Sequence, residues 1–127
     1  MKPRWLDRRI AAPGPYLTLC LSEKEYDSVM KIFGIKHYGT WVSEKANATA
    51  HHLNNANGDL CSVVCLGSYK GRTALEIAGI LVHESVHIWQ EYCDFYGEDK
   101  PGREQEAYAI QFIAQELMTE FARRIET

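Results

Sequence analysis

The segment from about Arg72 to Tyr96 constrains the fold more than any other part of the chain. It contains no proline and a single glycine, and its apolar residues occur on most sides of a helix with about 3.6 residues per turn. A helix that is apolar around most of its circumference is normally covered by other elements. The sequence therefore predicts a long helix at the centre of the fold.

Other patterns predict a small sheet before this helix. Residues 16–21 and Leu60 to Leu66 are short apolar runs bounded by turn-forming residues, which is typical of strands. Residues 54–59 are rich in asparagine and end in Gly-Asp, a strong turn signal, and residues 40–53 contain several residues that favour strands. We therefore expect a hairpin whose second strand is the apolar run.

Two further helices are indicated by their end signals. Ser22 and Glu25 have the spacing of a capping box, which predicts a helix to about Phe33. The chain breaks again from Gly97 to Gly102, and the last helix is expected to run to about Ile125. Its predicted apolar stripe consists of Ala107, Ile110, Ala114, Leu117 and Phe121.

The order of these elements, β-α-β-β-α-α, predicts an α+β fold in which a small antiparallel sheet packs on two long helices. A chain of 127 residues has room for one core, so we expect one domain over residues 1–127. The four cysteines are scattered along the chain, and we interpret them as small buried side chains rather than a disulfide framework or a zinc ribbon.

Composition and charge narrow the classes of partner. A formal net charge of −3 argues against binding to nucleic acid, which usually requires a basic face. No apolar run approaches the roughly 18 residues of a membrane span, so no membrane partner is expected. The basic segment of residues 1–9 is not followed by a continuous apolar stretch, which predicts no secretory signal and a cytoplasmic location.

The central helix contains the motif His83-Glu84-Ser85-Val86-His87. Two histidines four residues apart lie about 40° apart around a helix, one turn above the other, so both imidazoles can bind one zinc ion. Glu84 lies at the edge of the same face, where a carboxylate can take a proton from the attacking water without binding the metal. This spacing is that of zinc metallopeptidases, and the alternative is a polar stripe that faces water.

A catalytic zinc site requires a third protein ligand. The expected reversal after Gly97 would return the first turn of the last helix to the histidine pair, and that turn carries Glu104 and Glu106. These two glutamates are about 160° apart on a helix, so both cannot face one metal ion. Helical phase mildly favours Glu106, and either glutamate can instead complement the helix dipole.

With the motif and a glutamate-bearing second helix, the chain resembles the gluzincin metallopeptidases, whose third ligand is a glutamate on a following helix. Glu104-Gln105-Glu106-Ala107-Tyr108 is similar to the Glu-x-x-Ala-Asn/Asp pattern of that helix, and this resemblance implies Glu104 as the ligand. Tyr108 departs from the pattern. About the last fifty residues also look like small proteins with the same motif that tailed phages and prophages encode.

The resemblance implies a minimal zincin-like architecture and one Zn²⁺ ion held by His83, His87 and Glu104, with Glu84 as the general base. The implied activity is hydrolysis of a peptide bond in a peptide or protein substrate, inside the bacterial host if a phage encodes the chain. The alternative is a catalytically silent, metal-stabilised binding or assembly protein of a phage or prophage. A third possibility is a metal-free helical domain whose polar stripe binds a protein partner.

A few other residues are candidates for supporting roles. Leu60 to Leu66 can pair with an extended peptide, as the strand beside the motif does in gluzincins, or it can be an interior strand without a free edge. His51 and His52 can assist an oxyanion or lie on the surface. Tyr92 and Tyr108 can supply a phenol to the transition state or belong to the core.

Overall fold

The computed structural model describes residue 3, residues 16–54 and residues 57–125, and these residues form three strands and three helices. The strands are β1 (Tyr16–Cys20), β2 (Ala48–Asn54) and β3 (Leu60–Leu66), and the helices are α1 (Glu23–Phe33), α2 (Ala74–Tyr96) and α3 (Arg103–Ile125). The fold class is α+β, as the sequence predicts.

Within the described residues, the helices lack the combination of length and apolarity that a membrane crossing requires. The basic segment of residues 1–9 lies outside the described residues, except for Pro3.

The sheet is mixed rather than antiparallel, with the strand order β1-β3-β2. The hairpin prediction is confirmed, because β2 runs antiparallel to β3 and Asn54 pairs with Leu60, although residues 55–56 of the predicted turn lie outside the described residues. The antiparallel prediction is wrong for β1, which runs parallel to β3. Parallel strands need a long crossover connection, and residues 21–59, which include α1, supply it.

The central strand β3 explains why helices lie on both sides of the sheet. All seven of its residues are buried, so neither face of the strand is open to water. Helix α1 covers the face that carries Val63 and Cys65, and α2 and α3 cover the face that carries Val64 and Leu66. The expected packing on two long helices is therefore correct for one face only, and α1 forms a third layer.

The ends of α1 and α2 follow from local hydrogen bonds. The Ser22 hydroxyl accepts a hydrogen bond from the Glu25 amide at 3.2 Å, as the capping-box spacing predicts. Helix α2 begins with a complete capping box, in which Thr73 and Glu76 each bond the other's backbone amide at 3.1 Å. It ends at Gly97, whose φ of 70° is a left-handed conformation that favours glycine.

The buried face of α3 is shifted from the predicted stripe. Ala114 and Leu117 are buried as predicted, but Ala107 is exposed, and the most buried early positions are Ala109 and Ile113. These two positions pack against α2 in the larger core. The shift matters for the site, because it decides which residues of the first turn of α3 face α2.

The cysteines lie in the interior. Cys20, Cys61, Cys65 and Cys93 are all buried as free thiols, so their interpretation as small buried side chains is confirmed. Cys20 and Cys65 are paired in the parallel register of β1 and β3 and pack in the core beneath α1. They therefore belong to the packing of the sheet.

Arg124 joins the end of α3 to the connection between β1 and α1. Its buried guanidinium donates to the Leu19 carbonyl at 3.0 Å and forms an ion pair with the Glu25 carboxylate. The same carboxylate accepts a hydrogen bond from the Leu21 amide at 2.8 Å, and Glu120 lies 3.8 Å from Arg124. A buried charge is tolerated when it is paired and hydrogen-bonded in this way.

We predict that Arg124→Ala destabilises the protein by about 2–4 kcal/mol, because it leaves Glu25 and the Leu19 carbonyl without their buried partner. Arg103→Ala, at the exposed start of the same helix, is the matched control and should change stability by less than about 0.5 kcal/mol. Urea unfolding followed by circular dichroism measures both values. Equal unfolding midpoints for the two variants would contradict the role assigned to Arg124.

Candidate metal centre

His83 and His87 converge on a common point at the surface of α2. Their Nε2 atoms are 3.2 Å apart, and both side chains are exposed. Two nitrogen ligands of one tetrahedral zinc ion, each bound at about 2.0–2.1 Å, are separated by about 3.3 Å. The same distance suits an N–H···N hydrogen bond between neutral imidazoles. The pair therefore has the spacing of two zinc ligands without any rearrangement.

Gln90 orients the His87 ring. Its Oε1 atom lies 3.0 Å from His87 Nδ1, and a carbonyl oxygen can only accept, so Nδ1 donates the hydrogen bond. In the neutral ring this leaves Nε2 with a free lone pair, which is the form that binds a metal. The sequence gives the spacing of the histidines but does not show that Gln90, one turn further along, orients one of them.

Glu84 lies beside the pair and is buried, whereas both imidazoles are exposed. Only 5% of the residue is exposed, and burial raises the pKa of its carboxyl group above the ordinary value. The neighbouring His83 and His87, and His51 beyond them, act in the opposite direction on that pKa. Glu84 therefore occupies a dry position next to two basic rings.

Two adjoining cavities of about 520 and 470 Å³ flank the histidine pair, and we call them together the groove. Both are lined by His83, Glu84 and Ala48, so these residues lie where the cavities meet. One wall is α2 and the other is β2 with the loop before it. Each cavity falls in the size range of ligand pockets, roughly 300–1,000 Å³.

The strand along the groove is β2. β3 lies between β1 and β2, so of the two alternatives for Leu60 to Leu66 the interior strand without a free edge is the correct one. In the described part of the chain, the outer edge of β2 is not paired with another strand. β2 and β3 both contact α2, and the contact with β2 is the more extensive of the two. The sequence could not distinguish them, because both are short and β-capable.

The first turn of α3 does not meet the histidine pair. The Trp89 indole donates a hydrogen bond to Glu106 Oε2 at 3.0 Å, which fixes that turn beside Trp89. Trp89 follows His87 by two residues and therefore points about 160° away from it. The chain does reverse after Gly97, but α3 returns along the opposite flank of α2.

The same contact determines the direction of Glu104. It lies two residues before Glu106 and is therefore about 160° away around α3, on the side remote from α2. Among the described residues, no three His, Cys, Asp or Glu side chains are grouped closely enough to hold a metal ion. The structure thus brings His83, Glu84 and His87 together and does not bring Glu104 to them, and the assignment of Glu104 as a ligand stays a prediction.

His51 and His52 have different environments because adjacent residues of a strand point to opposite faces. His51 faces α1, where its Nε2 donates to the Trp41 carbonyl at 2.8 Å. His52 lines the groove, and its Nδ1 lies 3.2 Å from the Ser62 hydroxyl. Burial lowers the pKa of His52, and the charge of Glu91 opposes that shift. Both histidines are partly buried, and His52 is the one that lines the groove.

The two tyrosine candidates do not face the histidine pair. Tyr92 stacks on Trp89 with ring centroids 5.3 Å apart and is partly buried against the core. Tyr108 is 66% exposed on α3. The core interpretation fits Tyr92, and the groove residues give no support to a phenol from either position.

Comparison with known proteins does not identify a family for this chain. It matches no family model, and no curated protein or solved structure is significantly similar to it. The geometry and chemistry of the site are therefore the basis for its proposed function.

The placement of α3 predicts different roles for its two first-turn glutamates. Glu106→Ala should lower the free energy of unfolding by about 1–2 kcal/mol, because the Trp89 indole loses its charged acceptor. Glu104→Ala should change it by less than about 0.5 kcal/mol, because its side chain is exposed. Urea denaturation of both variants measures the difference, and a larger effect at Glu104 would refute this orientation of the helix.

Proposed function

We propose that this protein is a zinc-dependent hydrolase that cleaves peptide bonds in a peptide or protein substrate. The observation that carries the proposal is the convergence of His83 and His87 at 3.2 Å, with the buried Glu84 carboxylate beside them. Paired imidazoles at this distance suit one zinc ion, and the adjacent carboxylate suits a general base. The groove supplies space for a substrate at the same place.

His83 and His87 would hold the ion through Nε2, with Gln90 fixing the tautomer of His87. Zinc, when bound, lowers the pKa of water toward about 7 and polarises a carbonyl group. Glu84 takes a proton from the attacking water and passes it to the leaving amine, which the carboxylate can do from its dry position.

An extended peptide suits the shape of the groove. The outer edge of β2 offers backbone donors and acceptors beside the histidine pair, and main-chain pairing of this kind binds peptides with little dependence on their side chains. The small side chains of Ala46, Ala48 and Ala50 leave room on that wall. This arrangement favours a peptide substrate over a compact small molecule.

One observation favours the second candidate, a metal-stabilised binding or assembly protein without turnover. Glu104 points away from the pair, so the described residues lack the preformed set of three protein ligands that is typical of a catalytic zinc site. For this candidate, removal of the metal should lower the melting temperature strongly, and no peptidase activity should be measurable.

Zinc binding tests the pair directly. Purified without a histidine tag, the protein should bind one equivalent of Zn²⁺, and His83→Ala or His87→Ala should weaken binding by at least roughly 100-fold, because each removes a ligand. His37→Ala, at an exposed histidine outside the groove, should bind like the unaltered protein. Competition with a chromophoric chelator measures the affinities. Zinc binding that survives both substitutions would exclude this pair as the site.

Hydrolysis tests the role of Glu84. The zinc-loaded protein should cleave peptides in a mixed-sequence library, detected by mass spectrometry, whereas Glu84→Gln should bind zinc normally and lose cleavage by at least about 10³-fold. The amide keeps the size of the side chain but cannot accept the proton. Cleavage that persists in this variant would eliminate Glu84 as the base. Normal zinc binding without any cleavage by the unaltered protein would favour the assembly protein.

A further inference from the structure

We propose that His52, from the edge strand β2, is the third protein ligand of a divalent transition-metal ion held by His83 and His87. The proposal rests on the proposed metal binding by that pair, and it replaces a ligand from α3 with one from the opposite wall of the groove. No sequence motif assigns a role in metal binding to this histidine.

The position of α3 leaves the histidine pair open toward the groove. Helix α3 meets α2 through Trp89 and Glu106, on the flank turned away from the pair. The pair instead faces the groove, whose other wall is β2 and the preceding loop. A third ligand that approaches without moving a helix must therefore come from this wall.

Few of the residues that line the groove can serve as a third metal ligand. Glu76, Glu91 and Asp94 are on α2 itself, each at least about one turn from the pair, and a single helix cannot bring three successive turns to one ion. The lining residues that lie outside α2 are Ser43, Lys45, Ala46, Asn47, Ala48, Thr49, Ala50, His52 and Arg72. Of these described residues, His52 is the one with an imidazole, thiolate or carboxylate, the usual zinc ligands.

The contacts of the His52 ring suit a metal ligand. Its Nδ1 contacts the Ser62 hydroxyl, so Nε2 is the nitrogen left for another partner. His52 lines the same cavity as His83 and His87, so its ring borders the space into which the pair opens. Glu91 is also near, and a carboxylate beside a ligating imidazole commonly orients it.

Binding requires a local movement of the ring. The described side chains contain no preformed group of three ligands, so His52 must turn toward the pair when the ion enters. If the movement breaks the hydrogen bond to Ser62, that loss is small compared with a bond between zinc and imidazole. The edge position of β2 leaves that side of the strand free of a neighbouring described strand, which favours such an adjustment.

The experiment uses the full chain and Zn²⁺ alone, with competition against a chromophoric chelator. His52→Ala should weaken zinc binding by at least roughly 30-fold. The matched control is His51→Ala, which removes the adjacent histidine on the opposite face of β2 and should change the affinity less than about threefold. Glu104→Gln should also bind like the unaltered protein. Circular dichroism of each variant establishes that it is folded.

A second measurement avoids the risk that a variant misfolds. In the unaltered protein labelled with ¹⁵N-histidine, zinc should shift the ring nitrogens of His52 together with those of His83 and His87. Unchanged nitrogen resonances of His52, or a full loss of affinity in Glu104→Gln, would overturn the inference and leave the pair in place. If His83→Ala and His87→Ala bind zinc normally, or the unaltered protein binds none, the proposed function and this inference both fail.

Discussion

The burial of β3 on both faces is the constraint on which the rest of the structure depends. A strand with seven buried residues needs a neighbour along each edge and a helical layer over each face. α1 supplies one layer, and α2 with α3 supplies the other. Because α2 packs on the sheet next to β2, the flank of the helix that carries His83 and His87 extends beside the edge strand and forms a wall of the groove.

Helix α2 therefore has three sides with different partners. One side packs on the sheet, a second meets α3 through Trp89 and Cys93, and the third carries the histidines. Glu84 lies at the boundary between the first and third sides, which is why a carboxylate of the motif is buried while both imidazoles are exposed. The histidine pair thus lies on a helix that is packed on its other two sides, and the edge strand β2 faces it across the groove.

Much of this arrangement follows from short-range patterns. The cap at Ser22, the apolar run of β3 and the four-residue spacing of His83 and His87 depend on contacts within a few residues, so the sequence predicts them correctly. The direction of β1 and the placement of Glu104 depend on packing between distant segments. The expected position of α3 required a helical phase, and the exposure of Ala107 with the burial of Ala109 shows that the predicted phase was shifted. The position of His52 depends on which strand forms the edge of the sheet, and no local pattern encodes that order.

The contact between Arg124 and the Leu19 carbonyl joins residues that are 105 positions apart in the chain. The β2–β3 hairpin and the α2–α3 pair involve neighbouring segments, so both can form early in folding at a small cost in loop entropy. β1 can pair with β3 once about half of the chain has been synthesised, but its attachment by Arg124 must wait until α3 is complete. A truncated chain that lacks this arginine would hold β1 by strand pairing and packing alone, and loss of β1 would expose one edge of β3, which is the kind of surface through which folding intermediates aggregate.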